Sequence, residues 1–192
     1  MVILELVLAH LLGDFVFQSN DLIHRKYQSW LGVVEHVCII AFFTVLFLFP
    51  FWQHDYMWKV AGIIFAVHFV QDLLKIKYDI KFNAKKKSTV PFFLDQIFHL
   101  SLIAYLAPGF EGLTPLNLPT WLSHLYFSQF LTIYSIGLIL FSYTYDITLY
   151  QFVRQKDKKN KEYTPDFAGM RKRLLIYSIV FVLGLLAHRS LV

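Results

Sequence analysis

Three histidine–aspartate pairs, His10/Asp14, His68/Asp72 and Asp95/His99, lie inside apolar stretches of the chain. Each pair is spaced i,i+4, which puts its two side chains on one face of a helix. His36 occupies a further apolar stretch. Imidazole nitrogen and carboxylate oxygen together suit zinc, manganese or iron, and helix bundles assemble dinuclear centres from such inward-facing side chains. A divalent metal held there would acidify a water molecule and clamp reacting oxygens, the chemistry of metal-assisted hydrolysis. On this reading His10, Asp14, His68, Asp72, Asp95 and His99 are metal ligands. His36 is a further ligand or a general base. Lys75, three residues after Asp72 on the same face, is an anchor for a phosphate or other anionic group. Gln18, Gln71 and Gln96 stand beside the acidic positions and are expected to hydrogen-bond the ligands.

The elements that must position these residues are membrane spans. The 192 residues are 57% hydrophobic and only 16% charged, whereas soluble domains carry about 25% charged residues. A charge at the centre of a bilayer costs about 2.5–3.5 kcal/mol on insertion scales, so aspartates there need partners or a purpose. Apolar stretches at 2–18, 30–50, 57–75, 90–107, 125–150 and 172–190 predict an all-α bundle of about six transmembrane helices. The chain reads as a single domain, 1–192. A four-helix part, 1–107, holds every His/Asp motif, and two further spans follow in 125–192. Pro50, Pro91 and Pro108-Gly109 punctuate span ends, and Trp30, Trp52, Trp58 and Trp121 fall where an interfacial aromatic belt would place them. The first stretch has neither a basic leader nor a small-residue cleavage site, so a retained helix is expected rather than a signal peptide. Cys38 is the single cysteine, which excludes an intrachain disulfide.

Charge gives the orientation. Between 76 and 90, five lysines (Lys77, Lys81, Lys85, Lys86, Lys87) oppose Asp79, and between 151 and 173 eight Lys/Arg oppose Asp157, Glu162 and Asp166. Loop 19–29 is also net basic, while 51–58 and 108–126 each carry one net negative charge. The positive-inside rule then makes the three basic loops cytoplasmic and both termini non-cytoplasmic. This explains the overall charge of +5 through solvated loops, and nothing argues for a nucleic-acid partner. At about 1.5 Å per helical residue, all seven His/Asp residues fall about 5–13 Å from the cytoplasmic ends of four spans. The His10/Asp14 and His68/Asp72 motifs ride on spans of the same direction, each followed by a returning span with a histidine, as a parallel two-helix repeat around one site would arrange them.

Other polar residues are ranked by the same geometry. Glu35 shares the depth of His36 but points about 100° away, which leaves it between the site and another face. Asp146 on the fifth span reaches the same layer and is a candidate to join it. Glu5 lies toward the other end of its span, off the His10 face. His24, His54, His124 and His188 fall in loops or at span ends. No Gly-rich phosphate loop, nucleophile-elbow serine, Cys-x-x-Cys pair or His-Glu-x-x-His motif is present.

The run His10-Leu11-Leu12-Gly13-Asp14-Phe15 with Gln18, then His36, then His68-x-x-x-Asp72-x-x-Lys75, then Asp95-Gln96-x-x-His99 resembles the domain-of-unknown-function 3307 family of small multi-pass bacterial inner-membrane proteins. The resemblance covers roughly residues 1–105. It implies a polar intramembrane site and a bacterial inner-membrane location, but no reaction. A looser similarity links the chain to membrane-bound metal-dependent hydrolases, by residue type alone. The expectation is therefore a membrane protein whose His/Asp layer, with a divalent metal, hydrolyses a phosphoester or lipid-like substrate. The rival expectations are a proton or cation relay through the same layer, and a non-catalytic membrane partner protein whose polar layer fixes packing. The lipid bilayer and a lipid or phosphorylated substrate are the expected partners, and the oligomeric state is open.

Overall fold

The computed structural model describes residues 1–82, 89–157 and 163–189, with the side chains of 154–157 and 187–189 excepted. Among the described residues all regular structure is helical. Helix α1 (Val2–Leu11) runs on into a single π turn, Leu12–Val16. Together these rise about 22 Å, short of the roughly 30 Å hydrocarbon thickness of a bilayer. The chain then bends by 87° into α2 (Asn20–Gln28). Serines fix both ends of α2. Ser19 Oγ accepts from Leu22 N at 3.2 Å, and Ser29, which closes α2, opens α3 (Trp30–Leu48) by accepting from Gly32 N at 3.2 Å.

A 3-10 turn containing Pro50 (Phe49–Phe51) ends α3, and α4 (Asp55–Phe82) returns across the bundle over 28 residues. Helix α5 (Val90–Leu106) opens on Pro91, where a missing N–H costs nothing, and closes through a 3-10 turn, Ala107–Phe110. A short α6 (Thr120–Tyr126) leads to α7 (Gln129–Ile139), a second π turn (Leu140–Thr144), α8 (Tyr145–Asp157) and α9 (Phe167–Arg189).

Four stretches are long and apolar enough to cross a membrane: Trp30–Phe51, Asp55–Phe82, Val90–Phe110 and Gln129–Val153. The bent pair Val2–Val16 and Asn20–Gln28 would make a fifth if it forms one broken span. The segment expected as loop 19–29 is thus mostly helix. The span expected to end near residue 75 continues to Phe82, because Ile76, Ile80 and the aliphatic stems of its lysines keep the helix going. Most of the lysines expected in the 76–90 loop (Lys85, Lys86, Lys87) lie outside the described residues, as do 158–162 and the side chain of His188.

Side chains are sorted inside out relative to a water-soluble bundle. Leu6, Ile40, Leu48, Met57, Val60 and Ile103 pack α1, α3, α4 and α5 together. Large apolar residues such as Phe42, Val70, Leu74, Phe98 and Leu183 face outward, while His36 and His68 are among the most deeply buried side chains. Water would reverse that order, and lipid favours it. All four tryptophans are exposed near helix ends, where an indole ring can meet both tails and headgroups.

Candidate functional site

Seven side chains meet where α1, α3, α4 and α5 converge. α1 supplies His10, its π turn Asp14, α3 His36, α4 His68 and Asp72, and α5 Asp95 and His99. None of these side chains is more than 7% exposed. The π turn widens the helix by one residue where Asp14 leaves it, a local irregularity that helices use to re-aim a side chain. Gly13 lets α3 pack closely on this turn, since a Cβ there would stand 2.1 Å from Ile40 Cδ1.

Asp14 is the hub. Its Oδ1 lies 3.1 Å from His36 Nε2 and 3.5 Å from His68 Nε2, and the two histidine nitrogens are 3.2 Å apart. Its Oδ2 faces the other way, accepting from Gln96 Nε2 at 3.0 Å with His10 Nε2 at 3.6 Å. The Gln96 carbonyl oxygen in turn accepts from His10 Nε2 at 3.2 Å. Asp72 Oδ2 lies 3.6 Å from His36 Nε2 and 4.0 Å from His68 Nε2. Asp95 Oδ1 is 3.3 Å from His99 Nε2, and the His99 ring stacks on that of His68 at 3.9 Å with an interplanar angle of 7°.

Three overlapping groups have all their donor atoms within 4.8 Å of one another: His10/Asp14/His68, His36/His68/Asp72 and Asp14/Asp95/His99. Ligand atoms around tetrahedral zinc, with bonds of about 2.0–2.1 Å, stand about 3.3–3.4 Å from each other. The Asp14, His36 and His68 donors fall on that spacing. Asp14 Oδ1 and His99 Nε2 are buried, and their contacts with His36 Nε2 at 3.1 Å and Asp95 Oδ1 at 3.3 Å are ion pairs rather than well-aligned hydrogen bonds.

Two lysines flank the carboxylates. Lys75 Nζ is 2.5 Å from Asp95 Oδ2, so it reaches into the site and does not simply extend toward solvent. Lys26, in the segment expected as the basic loop 19–29, is 8% exposed and lies 2.6 Å from Asp72 Oδ2. Its signal was the spacing Leu22/Lys26 on the buried stripe of α2. Gly32 brings the helices close enough for that reach, since a Cβ there would lie 2.3 Å from the Arg25 carbonyl carbon. Three aspartates thus stand beside two lysines and four imidazoles.

A cavity of about 180 Å³ opens on this cluster. Asp14, Asp72, Asp95, Lys26 and Lys75 line one part, and Ile147, Tyr150, Gln151 and Tyr163 from the C-terminal half line another. The end of the fifth expected span and the segment after it thus contribute a wall that spacing alone leaves without a role. Gln18 reaches the site, its amide nitrogen 3.2 Å from His36 Nδ1, but Gln71 Oε1 is buried without a hydrogen-bond partner.

Glu35 is outside the site: half exposed, it accepts from Arg25 Nε at 2.7 Å. Asp146 does not join either, because Arg173 pairs with it and Asp166 N donates to it at 3.0 Å. Glu5 stays off the cluster as expected, yet it is buried and accepts from Thr132 Oγ1 at 2.9 Å. His24 lines the cavity, and His54 Nε2 lies 2.8 Å from the Thr114 carbonyl oxygen.

No curated protein and no solved structure matches the chain. The match that exists ends at residue 127, so it includes every member of the His/Asp cluster and excludes the C-terminal wall of the cavity. Over residues 2–127 the sequence fits the model of DUF3307, described as a protein of unknown function, and the chain belongs to that family.

Proposed function

We propose that the protein is a multi-pass bacterial inner-membrane hydrolase that uses one or two divalent metal ions. The observation that carries the reading is the placement of Asp14. One of its oxygens meets the His36 and His68 nitrogens and the other meets the His10 nitrogen, in a buried site. Asp14 shares one donor group with His10 and His68 and another with Asp95 and His99, while His36, His68 and Asp72 form a third; these residues would hold the metal.

Bound metal supplies an acidified water and a positive clamp on the reacting oxygens. The protein's own residues do the rest. Gln96 holds Asp14 from α5, Gln18 holds His36, and Lys26 and Lys75 pair with Asp72 and Asp95. The same lysines border the cavity and attract a phosphoester group.

The membrane setting completes the proposal. Six spans, with α1 as a short first span and α9 as the last, place both termini outside and the basic connections in the cytoplasm. The cavity then opens toward the cytoplasmic leaflet, since α2 and the end of α4 border it. A relay is the second reading, favoured by the histidine run in which ring centroids are 3.9–5.9 Å apart. Against it, the space beyond His10, His68 and His99 is lined by Leu6, Ile40, Ile64, Leu102 and Ile103. Its one hydroxyl, Thr44, is already bonded to the Ile40 carbonyl.

Elemental analysis of detergent-purified protein tests the reading, with wild type beside Asp14→Asn and His36→Gln. Stoichiometric metal in wild type, lost from both variants, is the expected result. Metal-free wild type that stays folded after supplementation with zinc, manganese and iron would remove the hydrolase and leave the relay.

A further inference from the structure

The cavity holds two kinds of polar group, and the metal chemistry uses only one. The charged part, Lys26 and Lys75 with their aspartates, belongs to the cluster. The same cavity is also lined by Gln151 on α8 and Tyr163 in the segment before α9. Gln151 Oε1 and Tyr163 OH are both buried and both lack a hydrogen-bond partner. Burial and the nearby Asp146 carboxylate push the Tyr163 phenol up to about 12, so it remains a donor. One unsatisfied acceptor and one unsatisfied donor thus belong to residues lining the same space as two lysines and four aspartates, Asp14, Asp72, Asp79 and Asp95.

Neither group is loosely placed. The Tyr163 backbone carbonyl accepts from Asn20 Nδ2 at 2.7 Å, which ties this segment to the start of α2. Asp166, three residues on, donates its N–H to Asp146 and receives Gly169 N at 2.9 Å. The wall is therefore built from both halves of the chain. At about 180 Å³ the space is smaller than the roughly 300 Å³ at which drug-sized ligand pockets begin. It suits a phosphorylated head and not a whole lipid.

We propose that the cavity binds the phosphate ester of a hydroxylated alcohol, with Gln151 and Tyr163 recognising the alcohol. The phosphate lies toward Lys26, Lys75 and the His/Asp cluster. Gln151 Oε1 accepts from a free hydroxyl of the alcohol, and Tyr163 OH donates to an alcohol oxygen. This rests on the hydrolase reading for the reaction but not for the recognition. The ester is either a soluble polyol phosphate or the headgroup of a phospholipid whose tails stay in the bilayer.

Binding separates these points. Calorimetry on detergent-solubilised protein of known metal content would use orthophosphate and sn-glycerol 3-phosphate as probes. Wild type is expected to bind glycerol 3-phosphate about tenfold tighter than orthophosphate. Gln151→Leu and Tyr163→Phe should each reduce that preference about three- to fivefold, leaving orthophosphate affinity and metal content unchanged. A wild type without preference, or variants that keep it, overturns the inference while a stoichiometric metal content leaves the hydrolase reading standing. Metal-free protein that still shows the preference and its loss in the variants removes the hydrolase and keeps the recognition. Metal-free protein without the preference removes both. Competition by phosphatidic acid in mixed micelles, but not by soluble esters beyond glycerol 3-phosphate, assigns the site to a lipid headgroup. The reverse assigns it to a soluble ester.

Discussion

Lys26 Nζ lies 2.6 Å from Asp72 Oδ2, although Lys26 belongs to a nine-residue helix at the edge of the bundle and Asp72 to a 28-residue apolar helix inside it. Both side chains are under a tenth exposed. The 87° bend after Val16 creates the pairing by turning α2 back against the site. The reach of one lysine thus ties the edge of the bundle to its polar centre.

Removing one member of such a pair strands a buried charge, at a cost of about 3–5 kcal/mol. Lys26→Met should therefore lower the unfolding free energy of chelator-treated protein in detergent by about that amount. The double variant Lys26→Met/Asp72→Leu should recover most of it, because no charge is left behind. A single variant as stable as wild type would mean that water or lipid headgroups reach Asp72 and replace the lysine.

The glycines make a sharper comparison. A Cβ on Gly32 would meet the Arg25 carbonyl carbon at 2.3 Å and Lys26 N at 2.6 Å, both backbone, whereas a Cβ on Gly62 in α4 meets nothing within 4 Å. Gly32→Ala must push α2 away and should destabilise by about 1–3 kcal/mol, with loss of the Lys26 contact. Gly62→Ala should stabilise by up to about 1 kcal/mol, the helix-propensity difference. Thermal unfolding of the two variants side by side measures this, and equal shifts would dissolve the close α2–α3 approach.

The seven His/Asp residues were legible because i,i+4 spacing and depth along a helix are one-dimensional quantities that a sequence contains. That they converge depends on helix rotation, and here the structure adds what spacing leaves open. Asp14 reaches two histidine groups through a π turn that no residue pattern announces. Lys26 was hidden because residues 19–29 look like a polar loop, and only the serine caps at 19 and 29 hint at a helix between them. Gln151 and Tyr163 could not be found at all from spacing. They are remote in sequence from the cluster and reach it through α8 and the tie between Asn20 and Tyr163. Asp146 failed as a candidate for a matching reason: depth placed it in the right layer, but Arg173 on a neighbouring helix claims it.

Topology has its own test. Cys38 is the single cysteine, so a Cys38→Ser background accepts new labelling sites cleanly. Cysteines replacing Lys77 and Glu111 should react with a membrane-impermeant maleimide from opposite sides of the membrane, Lys77→Cys only after the cytoplasmic face is exposed. Labelling of both from one side would overturn the six-span arrangement.

Glu5 offers a control away from the site. It is buried in α1 and accepts from Thr132 Oγ1 of α7, the bond that pins the C-terminal half to the first helix. Thr132→Val keeps the shape and removes the donor, which should cost about 1–3 kcal/mol. Metal content should not change, because neither residue belongs to the donor groups around Asp14. Joint loss of stability and metal would show that docking of the C-terminal half shapes the site.

Metal removal completes the set. A ligand that binds only the folded state stabilises it by about 4 kcal/mol when present at a thousand times its dissociation constant. Wild-type protein saturated with its metal should therefore lose several degrees of melting temperature when treated with chelator, and regain them on re-addition. Asp14→Asn should melt at one temperature with or without chelator, since its remaining oxygen cannot serve both histidine groups. Glu35→Gln should respond to chelator as wild type does, because Glu35 is turned outward to Arg25 and touches none of the cluster. Chelator sensitivity that survives Asp14→Asn undiminished would place the ion elsewhere and remove Asp14 from its role as the hub.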